Sequence, residues 1–83
     1  MQQLQDKIEL LARRERDFQH TPFRKRRARK RAWEAVRIAL EDLARTLEAR
    51  GADDQARWLR QGEYHLRRDG EGLLVIDHEP LPW

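Results

Sequence analysis

Seven of the eight residues from Arg24 to Arg31 are cationic (Arg24, Lys25, Arg26, Arg27, Arg29, Lys30 and Arg31), with only Ala28 breaking the run. Like charges this dense repel one another, and the repulsion costs stability unless counterions or a partner neutralise it. The chemistry on offer is the binding of anions. Arg13, Arg14 and Arg16 add to it, so residues 13–31 hold ten Lys or Arg against Glu15 and Asp17, a net of +8. Eight of the ten are arginine, whose planar fork of donors matches phosphate and carboxylate better than a lysine does. Phe18 and Phe23 flank the middle of this region. They read as a small apolar cap, and stacking on a nucleic-acid base is their functional alternative.

A nucleic-acid backbone is the commonest partner for such a footprint. An anionic membrane fits less well, because the segment has no wide apolar face to insert. An acidic protein surface is the third candidate, and a basic run can also act as a nuclear address. Bond-making chemistry has no comparable signal. The chain contains no serine, no cysteine, no Gly-rich phosphate loop and no helical His pair of the zinc-binding kind. His20, His65 and His78 are far apart in sequence, and His65 and His78 could meet only across a hairpin. Neither a catalytic residue, a cofactor nor a metal site is expected, and Asp53-Asp54 reads better as a helix cap than as an acid/base pair.

The elements that position these residues follow from period and breaks. Residues 2–19 predict a first helix, with Leu4, Ile8, Leu11 and Phe18 on one stripe and Glu15 at its missing member. The pair Thr21-Pro22 breaks it, since the residue before proline leaves the α region. With Thr21 as N-cap and Pro22 at the first position, a second helix is expected over 22–50, stopped by Gly51. So short a link favours an antiparallel helical hairpin, which carries Arg13, Arg14 and Arg16 towards the basic run. In the second helix Trp33, Val36, Leu40, Leu43 and Leu47 predict the buried stripe. Ala28, Ala32, Ala35 and Ala39 form a neighbouring strip of small side chains, and Ile38 falls on the wet side. Together they offer a contact for a partner or a second copy.

A short third helix is expected over 53–61, capped by Asp53 or Asp54, with Trp58 and Leu59 inward and Gly62 as its stop. Residues 63–78 then read as a β-hairpin. A two-residue Asp69-Gly70 turn would pair Arg68 with Glu71, Leu66 with Leu73 and Tyr64 with Val75. That register leaves Leu74 and Ile76 on the opposite face, so either both faces are covered or one meets a partner. Residues 79–83 form a tail in which Pro80 and Pro82 end the ladder and Trp83 packs back.

The expected fold class is therefore α+β, mainly α: a short first and long second helix as a hairpin, a short third helix and a C-terminal β-hairpin, in one domain over 1–83. Helices followed by Gly51, a short helix and a hairpin resemble the order of a winged helix, with residues 63–78 as the wing. Against it, the second helix is too long, the third offers few base-reading side chains, and the wing tip at Asp69-Gly70-Glu71 is acidic.

Eighty-three residues lie near the lower limit for an unaided core, and charged residues make up 40% of them. Self-association would add buried surface, so a homodimer is expected. The net charge is +3, and with +7 in residues 24–31 the remainder sums to −4. Asp69, Glu71, Asp77 and Glu79 lie in a C-terminal segment, 69–83, without Lys or Arg, which makes the chain basic in one region and acidic in another. The absence of cysteine, of an apolar run long enough to span a membrane, and of a signal-like layout in Met1–Asp6 predicts a cytoplasmic protein. Two functions compete on this evidence, with a purely structural homodimer as a third reading. One is a small non-enzymatic DNA- or RNA-binding protein that grips phosphates with an arginine-rich helical tip. The other is a regulator, adaptor or inhibitor that docks its basic tip, its hairpin edge or the Ala strip with Ile38 on another protein.

Overall fold

The computed structural model describes residues 3–82; the expected packing of Trp83 and the start of the first helix at residue 2 lie outside them. Three helices, α1 (Gln3–His20), α2 (Arg26–Ala49) and α3 (Asp53–Gln61), precede two strands, β1 (Tyr64–Arg68) and β2 (Leu74–His78). The strands pair antiparallel as a two-stranded ribbon, so the fold is α+β and mainly α. Lys7 reaches Asp42 and Thr46, while Phe18 meets Trp33. Low numbers on α1 thus face high numbers on α2, and the two helices form an antiparallel hairpin. No helix among the described residues is long and apolar enough to cross a membrane.

The core gathers where α1, α2, α3 and β2 converge. Ile8 and Leu11 of α1 meet Val36, Ala39, Leu43, Ala44 and Leu47 of α2, Ala56 and Leu59 of α3, and Leu74 and Ile76 of β2. It lies low on α2. Of the stripe read from sequence, Val36, Leu43 and Leu47 are buried and Leu40 is half-buried, but Trp33 is 49% exposed. Periodicity gives the face of a helix and not how far along it the neighbours extend; α3 and the ribbon cover the lower turns, and Phe18 is the aromatic ring against Trp33.

Helix α2 begins four residues later than expected. The Thr21 hydroxyl donates to the Asp17 carbonyl at 2.7 Å, prolonging the end of α1, and so is turned away from the α2 donors it was expected to cap. Pro22–Lys25 instead forms a turn closed by the Lys25 N–H on the Pro22 carbonyl at 3.1 Å, and Lys25 occupies the N-cap position without a side-chain bond. At the other end, the Gly51 and Ala52 N–H groups donate to the Glu48 and Leu47 carbonyls at 3.0 and 2.9 Å. This is a Schellman closure, for which Gly51 takes φ +82°. It leads straight into α3, so Ala52 rather than Asp53 or Asp54 becomes the N-cap, and Asp54 pairs with Arg57.

The ribbon's register is corrected by three residues. Arg68 faces Leu74, Leu66 faces Ile76 and Tyr64 faces His78. Asp69 is the cause: its Oδ1 accepts from the Glu71 and Leu73 N–H groups at 2.8 and 3.0 Å, and its carbonyl accepts from Gly72 at 3.0 Å. The result is a three-residue loop with Gly72 at φ +82°, rather than a two-residue turn on Asp69-Gly70. An odd shift exchanges the two faces of β2. Leu74 and Ile76 are thereby buried on the side of Tyr64 and Leu66, and the exposed Leu73 sits opposite Asp69 just after the loop, its carbonyl accepting from the Asp69 N–H at 2.9 Å. Packing energy favours this register, because it brings two large aliphatic side chains into the core.

Candidate nucleic-acid interface

At the α1–α2 join one arginine is structural. The Arg29 guanidinium lies between two phenyl rings, 4.2 Å from the centroid of Phe18 and 4.1 Å from that of Phe23. Its Nη1 donates to the carbonyls of Thr21 at 2.8 Å and Phe18 at 3.3 Å, where α1 runs out of internal donors. The sandwich makes the expected apolar cap of Phe18 and Phe23 a cationic one. Arg29 is half-buried and holds the tip together.

The other tip cations are placed differently. Arg24 and Lys25 lie in the turn, and Arg26, Arg27, Lys30 and Arg31 lie on the first two turns of α2, all exposed. Arg13 and Arg16 are exposed on α1, and Arg14 is half-buried with Asp17 at 3.9 Å. Away from this end, acids neutralise most of the positive charge. Arg60 forks onto Glu41 and Glu48 at 2.8 and 2.7 Å, Arg68 meets Glu9 at 3.0 Å and Lys7 meets Asp42 at 3.2 Å. Arg45, Arg57 and Arg67 have acidic partners too. Among the described residues no ion pair engages Arg13, Arg16, Arg24, Lys25, Arg26, Arg27, Lys30 or Arg31. The Gln5 side chain holds both the N–H and the carbonyl of Leu74, so the acidic loop after β1 sits beside the start of α1. At 1.5 Å per residue, that start lies about 20 Å along α1 from the basic tip.

Below the tip an open cleft of about 1130 Å³ runs between α1, α2, the end of α3 and β1. Phe18, Trp33, Val36, Leu40 and Leu66 supply apolar lining, and Arg16, Arg37 and Gln19 supply polar groups. Glu15 also lines it, at the position where the α1 stripe lacked an apolar member, and receives a hydrogen bond from the Tyr64 hydroxyl. Burial holds the Glu15 carboxyl above its usual range despite that bond, and burial together with Glu15 raises Tyr64. Trp33, Arg37 and Tyr64 are the residues here that a search for charge runs misses. Helical spacing carries the signal for two of them: at 100° per residue, Arg26, Lys30, Trp33 and Arg37 lie within about 60° of one another on α2.

The remaining candidates divide. Ala39 is in the core, Ala32 and Ala35 are half-buried, and Ala28 and Ile38 are exposed, Ile38 at 72%. Leu10 and Arg14 of α1 lie beside Ala35, Ile38 and Ala39, so the chain's own first helix already occupies part of the small-residue strip. His65 lies near Asp77 and Glu79 on the outer face of the ribbon, at 3.5 and 3.3 Å. His78 stacks on Trp58, with centroids 4.7 Å apart, on the other face, so the two imidazoles do not converge. Among the described residues no group of three or more potential ligands could hold a metal ion. No protein-family model, curated protein or solved structure matches the chain.

Proposed function

We propose that this is a non-enzymatic nucleic-acid-binding protein whose arginine-rich tip grips the phosphate backbone. The observation that carries the reading is the uneven use of acids: among the described residues ion pairs engage most cations in the body of the molecule, Arg37 and Arg50 excepted, while eight cations towards one end have none. Spread over the turn and around the first turns of a helix, they suit a backbone better than a pattern of base edges, so affinity should exceed sequence selectivity. If about five phosphates are neutralised, affinity falls ~10²–10³-fold between 50 and 200 mM salt. Fluorescence anisotropy with labelled DNA and RNA across that range tests it. Flat salt dependence, or no binding to any nucleic acid, overturns it.

Docking on another protein, or on a second copy, is the other reading, and exposed Ile38 beside Leu10 and Ala35 favours it. A protein partner kept after nuclease treatment, or a dimer in sedimentation that Ile38→Glu dissociates, would support it.

A further inference from the structure

We infer that the nucleic acid this protein takes is single-stranded, RNA or DNA, with an unpaired base stacked on Trp33 in the cleft below the basic tip. This rests on the nucleic-acid reading and narrows it. Phosphate grip alone needs no aromatic surface, yet the two most exposed aromatic side chains among the described residues both sit among the cations. Phe23 is 82% exposed, with Arg29 over one face. Trp33 is 49% exposed, tilted by 47° against Phe18 at 5.3 Å, and lines the cleft.

Helical geometry sets Trp33 in a row with Arg26, Lys30 and Arg37, so a strand tracked by the cations passes the indole. Arg16 lines the cleft from α1, and Glu15 and Tyr64 put hydrogen-bonding groups beside Leu40 and Leu66. Apolar side chains share the cleft wall with polar and charged ones, which suits the flat face and polar edge of a base, and the volume lies a little above the range of small-molecule sites, about 300–1,000 Å³. A duplex keeps its base faces stacked inside and has nothing to place there. A single strand does, and base–aromatic stacking is worth roughly a tenfold gain in affinity or more per base.

The test compares a single strand of about twelve nucleotides, as RNA and as DNA, with a duplex and an abasic strand of equal phosphate number. Anisotropy gives the affinities, and indole emission of a Trp58→Phe/Trp83→Phe protein reports on Trp33. The expected result is about tenfold or tighter binding of the single strand over both controls, with Trp33 emission quenched by the single strand alone. Trp33→Ala should abolish the preference while leaving duplex affinity and salt slope within about twofold, and Trp33→Phe, which keeps a ring on Phe18, should retain part of it. Equal binding of single strand, duplex and abasic strand, or unchanged emission, overturns the inference and leaves the backbone-binding reading standing. Failure to bind any of them, with a protein partner retained after nuclease, overturns both.

Discussion

Arg26 and Arg29 carry the same group three residues apart, and the fold gives them opposite surroundings, solvent for one and two phenyl rings for the other. Arg29 commits both faces of its guanidinium to Phe18 and Phe23 and two hydrogen bonds to carbonyls at the end of α1. Arg29→Ala should therefore cost about 1–3 kcal/mol in urea unfolding, from two cation–π contacts and charged hydrogen bonds. Arg29→Lys should recover little of it, because an ammonium has no planar faces to lie between two rings. Arg26→Ala should stay within about 0.5 kcal/mol of the parent and weaken nucleic-acid binding instead. Glu15 gives a second residue-scale prediction, with a sign. Its folded pKa is raised by burial, so the native state holds its proton more tightly than the unfolded chain does. Stability from this site is complete below the ordinary carboxylate range and declines as pH rises through the raised value. Glu15→Gln, which keeps an acceptor for Tyr64, should remove that decline, so urea curves of parent and variant converge in acid and separate towards neutral pH. Tyr64→Phe removes the donor that partly offsets burial, and should move the Glu15 titration further up when followed by NMR.

At the scale of elements, the three-residue loop after β1 makes the ribbon's register depend on Asp69 and Gly72. Gly72→Ala puts a side chain at φ +82° and should cost about 1–2 kcal/mol, whereas Gly70→Ala meets no atom within 4 Å and lacks the positive φ. Asp69→Ala removes an acceptor shared by two N–H groups and should cost a similar amount, about 1–2 kcal/mol. Chemical denaturation of the three variants checks the order. These positions also mark where sequence stops being informative. The ends of α1 and α2, the bounds of α3, the Gly51 and Gly62 stops and the Leu59 contact were readable because they depend on period and local backbone chemistry, whereas the start of α2 was not. The Asp69-Gly70 signal misled because Asp also suits the first position of a wider turn, and only the burial of Leu74 and Ile76 decides between the registers. Gln5 meeting Leu74 across 69 residues has no local trace. Likewise, the ten cations were visible as one cluster, but the engagement of Arg29 by Phe18, Thr21 and Phe23 shows only in three dimensions. Trp33 moved from expected core to half-exposed cleft wall because the neighbours that would bury it stop short of the upper turns of α2.

For the molecule as a whole, the proposed function makes one set of charges act on both stability and binding, so salt should move the two in opposite directions. Eight tip cations without ion pairs among the described residues repel one another across an exposed helix end, which destabilises the folded state at low ionic strength. Screening shortens the reach of that repulsion, with a Debye length of about 30 Å at 0.01 M and about 10 Å at 0.1 M. Salt also weakens the exposed pairs, such as Arg68 with Glu9, but exposed pairs contribute little to begin with. The midpoint of thermal unfolding should therefore rise as sodium chloride increases from about 10 to about 200 mM, while nucleic-acid affinity falls by orders of magnitude. Arg26→Glu/Arg27→Glu removes four units of positive charge from the net balance of the tip. That double variant should melt higher than the parent at low salt, gain less from added salt, and bind weakly at every ionic strength. A variant that lost binding and stability together would mean that these side chains hold the fold, as Arg29 does. A gain in stability with a loss of binding would mean that the tip is kept electrostatically strained for its partner, and a polyanion added to the parent should then raise its melting point at low salt.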